Sequence, residues 1–244
     1  MESLYIDSIG PAQKHILFDL WGGPRLVQCR HLINFQKILT GPFLILLMVY
    51  FDNWSWTAHI YVANHGIYGL IWVLKDCTVP DASWQVHVTM ASAFVQTTGL
   101  ALYLVSGWIV ISQHVQVSPT LAMICIMLNT LGCTIMVATD TQKYFVLQAR
   151  KGLISDGWLT WSRNTNYLGE MLMYTSYALL AKHWFPSVYL LCMWTIVFVS
   201  NMVQKDISIR AKKGGAAYVQ RSGFLFPNVV GWLENVVARR KQAN

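Results

Sequence analysis

The chain has 244 residues, of which 55% are hydrophobic and only 12% charged, and its mean hydropathy is +0.40. A soluble domain carries roughly a quarter of its residues as charges, so this composition excludes one and points to an integral membrane protein that crosses the bilayer several times. The net charge of +7 is dispersed rather than gathered in a tail, which argues against nucleic acid as a partner and suits membrane lipids with anionic headgroups or an anionic cofactor.

The N-terminus places Glu2 and Asp7 before any apolar run and lacks the basic-then-apolar order of a cleaved signal peptide. Between Pro11 and Trp21, the residues Ile16, Leu17, Leu20 and Trp21 share a helical face, which predicts an amphipathic helix lying in the headgroup plane. Apolar runs long enough to be considered against a ~30 Å hydrocarbon core follow near Ile38 to Phe51, Thr57 to Leu74, His87 to Ser112, Thr120 to Thr139, Tyr167 to Ala181 and Ser187 to Val203. The fold class expected is therefore an all-α integral membrane protein with about six transmembrane helices and interfacial helices at both ends. The first run is short and the second carries Asn64 and His65, so either could be bent or re-entrant. With an even number of spans, every Lys and Arg of the 18 except Lys182 falls on one side, and the positive-inside bias makes that side cytoplasmic.

From Asp140 to Arg163 runs the longest polar interruption, with Gly152, Asp156 and Gly157 allowing a turn. Asn166 is the expected N-cap of the fifth span, which would aim that helix's unpaired N–H groups at the basic loop. Beyond the last span, Val229, Trp232, Leu233, Val236 and Val237 recur at helical spacing before Arg239, Arg240 and Lys241 and predict a second surface helix. Three regions follow: an interfacial segment (1–34), a transmembrane half that could hold a substrate cavity (35–139) and a cofactor-binding region (140–244).

Several chemistries are missing. There is no G-x-G-x-x-G and no G-x-x-x-x-G-K-[ST], hence neither a Rossmann fingerprint nor a P-loop. The seven histidines contain no pair one helical turn apart, which removes histidine-box metal sites, and no metal is expected. A G-x-S-x-G elbow is also lacking. The five cysteines form no Cys-x-x-Cys pair, and most of them read as small core residues. Asn64, His65, Gln96 and Asn129 read as helix-to-helix glue.

The densest chemistry lies in Ser162-Arg163-Asn164-Thr165-Asn166-Tyr167-Leu168-Gly169-Glu170. Charges that border an apolar helix are costly near lipid and are usually held by partners or ligands. Taken with Asp140-Thr-Gln-Lys143, Gly157-Trp158, Lys205-Asp206, Tyr218 and the run Phe224 to Pro227, this block resembles the C-terminal region of the steroid 5-alpha-reductase and delta-14 sterol reductase superfamily, in its DUF1295-like form. The resemblance covers about the last 105 residues, in order and roughly in spacing.

That resemblance implies a polytopic enzyme that binds NADPH on the cytoplasmic side and reduces a carbon–carbon double bond in a sterol, enone or enoyl lipid. It implies cofactor-binding positions at Lys143, Arg150, Trp158, Arg163, Asn166, Tyr167, Glu170, Lys205, Asp206 and Tyr218, with Tyr167 and Glu170 as the catalytic candidates. Cations suit the 2′-phosphate and pyrophosphate, an amide and a carboxylate suit the nicotinamide carboxamide or ribose, and aromatics suit stacking. The chain departs from the family's R-H-P-N-Y block at Asn164 and Thr165, and Lys205 stands where Arg is common. The implied location is the endoplasmic reticulum, with the mitochondrial inner membrane as the alternative. Two other readings stand beside the reductase. One is a membrane methyltransferase of the isoprenylcysteine or phospholipid type using S-adenosylmethionine, although its usual Glu-Glu after the final span is Lys205-Asp206 here. The other is a non-catalytic member serving as a subunit of a membrane complex with protein partners.

Overall fold

A computed structural model describes residues 2–228; the expected second surface helix lies outside them. The chain opens with α1 (Glu2–Leu4) and α2 (Gly10–Phe18), joined through one wide turn at Tyr5–Ile9. Pro11 sits in the first turn of α2, where no N–H is required. The amphipathic helix expected to reach Trp21 stops at Phe18, because Trp21, Gly22 and Gly23 all take positive φ and turn the chain away. Gln96 Nε2 donates to the Leu17 carbonyl at 2.6 Å and holds this helix against the bundle.

β1 (Arg25–Gln28) pairs antiparallel with β2 (His87–Thr89), with an irregularity between Arg25 and Val27. This ladder corrects the expected third span. Residues 87–89 are strand, and the helix begins at Met90, where the Thr89 side chain caps it by accepting from the Ser92 N–H at 3.3 Å. That helix comes in two pieces, α5 (Met90–Leu102) and α6 (Val105–Ser112), interrupted at Tyr103 and Leu104.

α3 (Cys29–Tyr50) starts nine residues before the apolar run that announced it. Its first turns carry Gln36 and Lys37, both buried, so the polar residues that mask its start in the sequence point inward. Ser55 caps α4 (Trp56–Thr78), accepting from the Ala58 N–H at 3.3 Å, and Ser118 caps α7 (Pro119–Ala149), accepting from the Leu121 N–H at 3.2 Å. α8 (Thr165–Ala181) turns through Lys182, which is left-handed, into α9 (Trp184–Met193); a wide turn at Trp194–Phe198 continues into α10 (Val199–Arg210), and α11 (Gly215–Arg221) follows.

Among the described residues, four helical stretches are long and apolar enough to cross a membrane: Cys29–Tyr50, Met90–Ser112, Pro119–Ala149 and Trp184–Arg210. The other two expected spans fall in α4, whose hydropathy is diluted by Asn64, His65, Lys75 and Asp76, and in α8, which has 17 residues. Both are packed among the apolar helices, α4 on α3 and α8 on α7, and they touch each other. Helices from the two expected halves thus share one core, including Leu44, Tyr61, Tyr68, Met136, Met173 and Leu180. The buried polar groups join helices as the sequence suggests. Tyr177 Oη donates to Asn129 Oδ1 at 2.9 Å, and His65 stacks on Tyr177 with centroids 4.3 Å apart while its Nδ1 bonds Tyr61 Oη at 3.1 Å.

α7 and α8 approach so closely that neither tolerates a side chain at their crossing. A Cβ on Gly132 would lie 2.5 Å from the Gly169 carbonyl oxygen and 2.8 Å from the Met173 nitrogen, backbone atoms that cannot rotate aside. Gly132→Ala is expected to push the helices apart and cost about 1–3 kcal/mol, read as a lower melting temperature in detergent. An unchanged melting temperature would mean that the helices do not cross here.

Candidate functional site

Because α7 has 31 residues, at 1.5 Å per residue it spans about 46 Å, more than a ~30 Å hydrocarbon core. Its last turns form one wall of an open basin of about 440 Å³ with Thr139, Asp140, Lys143 and Leu147. The start of α8 supplies Asn166, Tyr167 and Glu170; α10 supplies Asn201, Gln204, Lys205 and Ser208; the loop after α4 supplies Asp81, Ser83 and Trp84. Around this basin stand Lys14, Lys75, Lys143, Arg163, Lys205 and Lys212 against Asp81, Asp140 and Glu170, so positive charge dominates.

Of the residues expected from the sequence, Lys143, Arg163, Asn166, Tyr167, Glu170, Lys205 and Tyr218 line the basin. Arg150, Trp158 and Asp206 do not. Arg150 is exposed and paired with Asp156 at 3.1 Å. Trp158 faces a separate groove with Trp161 and Leu168, because the 3-10 turn Gly157–Leu159 directs it away. Asp206 is buried beneath Arg163.

Arg163 is also not the open cation that the block suggested. Its Nε donates to Asp206 Oδ1 at 2.8 Å and its Nη2 to Asp206 Oδ2 at 2.9 Å, while Nη1 donates to the Val219 carbonyl at 3.0 Å and to the Ser222 carbonyl and hydroxyl. Such a bidentate pair uses the whole fork of the guanidinium. The residues that open α8 are likewise covered, for Asn164 Nδ2 donates to the Phe224 carbonyl at 2.8 Å and Ser162 Oγ to the Leu225 carbonyl at 2.7 Å. Asn164, rather than Asn166, holds the N-cap position, and its side chain makes no capping bond. Asn166 lies one residue inside the helix, its Oδ1 buried in the basin wall with no hydrogen-bond partner among the described residues.

The cations facing the basin are lysines. Lys205 Nζ donates to the Arg163 carbonyl at 2.6 Å, one of the three donors an ammonium carries. Lys143 Nζ sits 2.9 Å from Asp81. Burial pushes the Asp81 carboxyl up, but the Lys143 charge and hydrogen bonds from Ser83 outweigh it and bring the group down to about 2. Deeper in, Lys75 pairs with Asp140 at 2.5 Å and lies 4.4 Å from the centroid of Trp72. Tyr218 donates its hydroxyl to the Leu159 carbonyl at 2.5 Å, and burial raises that phenol to about 12, so it is a fixture of the wall. Tyr167 packs edge-on against Phe198 at 5.0 Å.

Glu170 is different: it makes no hydrogen bond or ion pair among the described residues. It sits where the basin meets a second, apolar chamber of about 230 Å³, lined by Lys37, Tyr68, Tyr103, Tyr174 and residues of α5. Trp72, Trp84, Val197, Phe198 and Phe18 also border both spaces. Sequence reasoning passed over Lys37, Tyr68 and Trp72. The available signal was a lysine directly abutting an apolar run, with two aromatics four residues apart on the next one.

A sequence model of the family described as "Protein of unknown function (DUF1295)" matches residues 19–220. Neither a curated protein nor a solved structure matches the chain.

Proposed function

Since the chain belongs to the DUF1295 family, which is associated with steroid 5-alpha-reductase-like proteins, we propose that it is a membrane-embedded NADPH-dependent reductase acting on a carbon–carbon double bond of a lipophilic substrate. The observation that carries this reading is the junction at Glu170 of a lysine-lined polar basin with an apolar chamber. One space has the character of a site for a charged dinucleotide, the other of a site for a greasy ligand. The membrane we assign on the resemblance alone is the endoplasmic reticulum, and we count α4 and α8 as its fifth and sixth spanning helices.

The residues present fit the cofactor. Lys143, Lys205 and Lys212 face the space that its phosphates would need, and the orphaned Asn166 Oδ1 is an acceptor suited to a carboxamide N–H. When bound, NADPH supplies a hydride from its nicotinamide. Glu170, which can only accept hydrogen bonds when ionised, orients hydroxyl or amide donors at the boundary between the two spaces. Trp72, Trp84 and Phe198 keep water from that boundary. Tyr167, on the same face of α8 one turn earlier, is the phenol we assign to proton delivery; the Tyr218 hydroxyl is already committed to Leu159.

Titrating the purified protein with NADPH and NADH at low and high salt tests the reading. NADPH should bind about tenfold or more tightly than NADH, and added salt should narrow the gap. Equal, salt-insensitive weakness for both would remove the 2′-phosphate site. Binding of S-adenosylmethionine in their place would mark a methyltransferase.

A further inference from the structure

Lys37 is 3% exposed, and its ammonium lies 4.4 Å from the ring centroid of Tyr68 and 5.8 Å from those of Trp72 and Tyr174. The other deeply buried cations have carboxylates in contact, Lys75 with Asp140 and Arg163 with Asp206, whereas Glu170, at the edge of the same chamber, acts on Lys37 only through its field. Lys37 has no hydrogen bond or ion pair among the described residues, although it lines the apolar chamber. Aromatic faces attract a cation but accept none of its three N–H bonds in the usual sense, and a buried donor left unmade is costly.

The surroundings hold this amine in place. Gly69 has no side chain where the Lys37 carbonyl crosses α4, since a Cβ there would collide with it, and this fixes the backbone of Lys37 beside Tyr68 and Trp72. Tyr68 Oη and Tyr174 Oη are 3.1 Å apart, so one donates to the other and a single hydroxyl proton is left over at the chamber wall. An ammonium and a phenol thus supply hydrogen-bond donors inside a space otherwise dominated by carbon.

We infer that Lys37 anchors the oxygen end of a lipophilic ligand, a carbonyl or carboxylate oxygen accepting from its ammonium while the hydrocarbon body fills the chamber. The inference rests on the reductase reading only for what is done to the ligand; the anchoring is a binding property of the chain without cofactor. In a substrate whose double bond is conjugated to that oxygen, the cation would also draw electron density from the bond.

The test uses the full chain in lipid nanodiscs without nucleotide and follows tryptophan fluorescence, to which Trp72 and Trp84 beside the chamber contribute. Decanoate, methyl nonyl ketone and undecane are matched probes. The oxygenated probes should bind about tenfold or more tightly than undecane, as expected of hydrogen bonds to a charged group. Lys37→Met should erase that preference and leave undecane unchanged, and Lys37→Arg should retain it. A decanoate preference assigns the anchor to a carboxylate, and equal decanoate and ketone affinities assign it to a neutral carbonyl. Should Lys37→Met lose its melting transition, Lys37→Gln must lower the decanoate preference. No preference in the wild type, a preference surviving in a folded Lys37→Met, or an undiminished decanoate preference in Lys37→Gln overturns the anchor. If the preference stands while the nucleotide titration fails, only the reductase reading falls.

Discussion

Arg163→Met should destabilise the protein by about 3–5 kcal/mol, the scale of breaking a buried ion pair from one side. The loss would fall on three elements together, because the guanidinium joins the loop before α8 to Asp206 on α10 and to the Val219 and Ser222 carbonyls around the end of α11. Asp206, 3% exposed, would keep only a distant interaction with Arg210 at 3.9 Å. Arg163→Lys should restore little, since one ammonium cannot reproduce a two-point fork. Thermal melting with limited proteolysis near residues 210–228 measures the effect. A variant that melts like the wild type yet no longer binds NADPH would return Arg163 to the cofactor-binding role implied by its sequence block.

Glu170→Gln should do the opposite, sparing stability and lowering turnover or nucleotide affinity by roughly tenfold to a hundredfold, the range of a hydrogen bond to a charged group. The structure gives the reason. Glu170 has no bonded partner to lose among the described residues, and it lies in the field of Lys75, Asp140 and Lys37. Removing a carboxylate that no direct ion pair compensates relieves a desolvation cost, so melting should hold or rise. Normal turnover with reduced melting would make Glu170 a structural residue and take the proposed junction with it.

The sequence announced its long helices through apolar runs, and each run overlaps helix, although the third opens on the strand at 87–89 and is interrupted at Tyr103 and Leu104. It was weakest where polar residues face inward. Lys37 and Gln36 disguised the first nine residues of α3, because hydropathy treats a buried lysine as an end of the span. The β-ladder between residues 25–28 and 87–89 could not be read locally, since each strand is too short to show alternation and the partners are about sixty residues apart. At the site, motif order brought seven of ten expected residues to one basin, yet it could not tell Arg163, spent on Asp206, from Lys205, which keeps donors free. Spacing alone says which residues are near one another; it does not say which of their hydrogen bonds are already made. A cavity was expected within residues 35–139, but the lining of the apolar chamber escaped notice for a related reason. Tyr68, Trp72, Tyr103 and Tyr174 look like ordinary core until Lys37 is seen among them.

The placement of α4 and α8 bears on how the chain is made. Neither meets the length and apolarity that let a helix enter a bilayer on its own, but each is synthesised directly after a helix that does, α4 after α3 and α8 after α7, and each packs against that predecessor. With α4 and α8 as the proposed fifth and sixth spans, insertion as a hairpin would let the first helix shield the second before Asn64, His65 or Glu170 meets lipid, and the glycines at Gly132 and Gly169 bring the later pair together backbone to backbone. The order of synthesis would then act as a chaperone: the residues that give the interior its chemistry would be delivered across the membrane surface as passengers of helices that precede them.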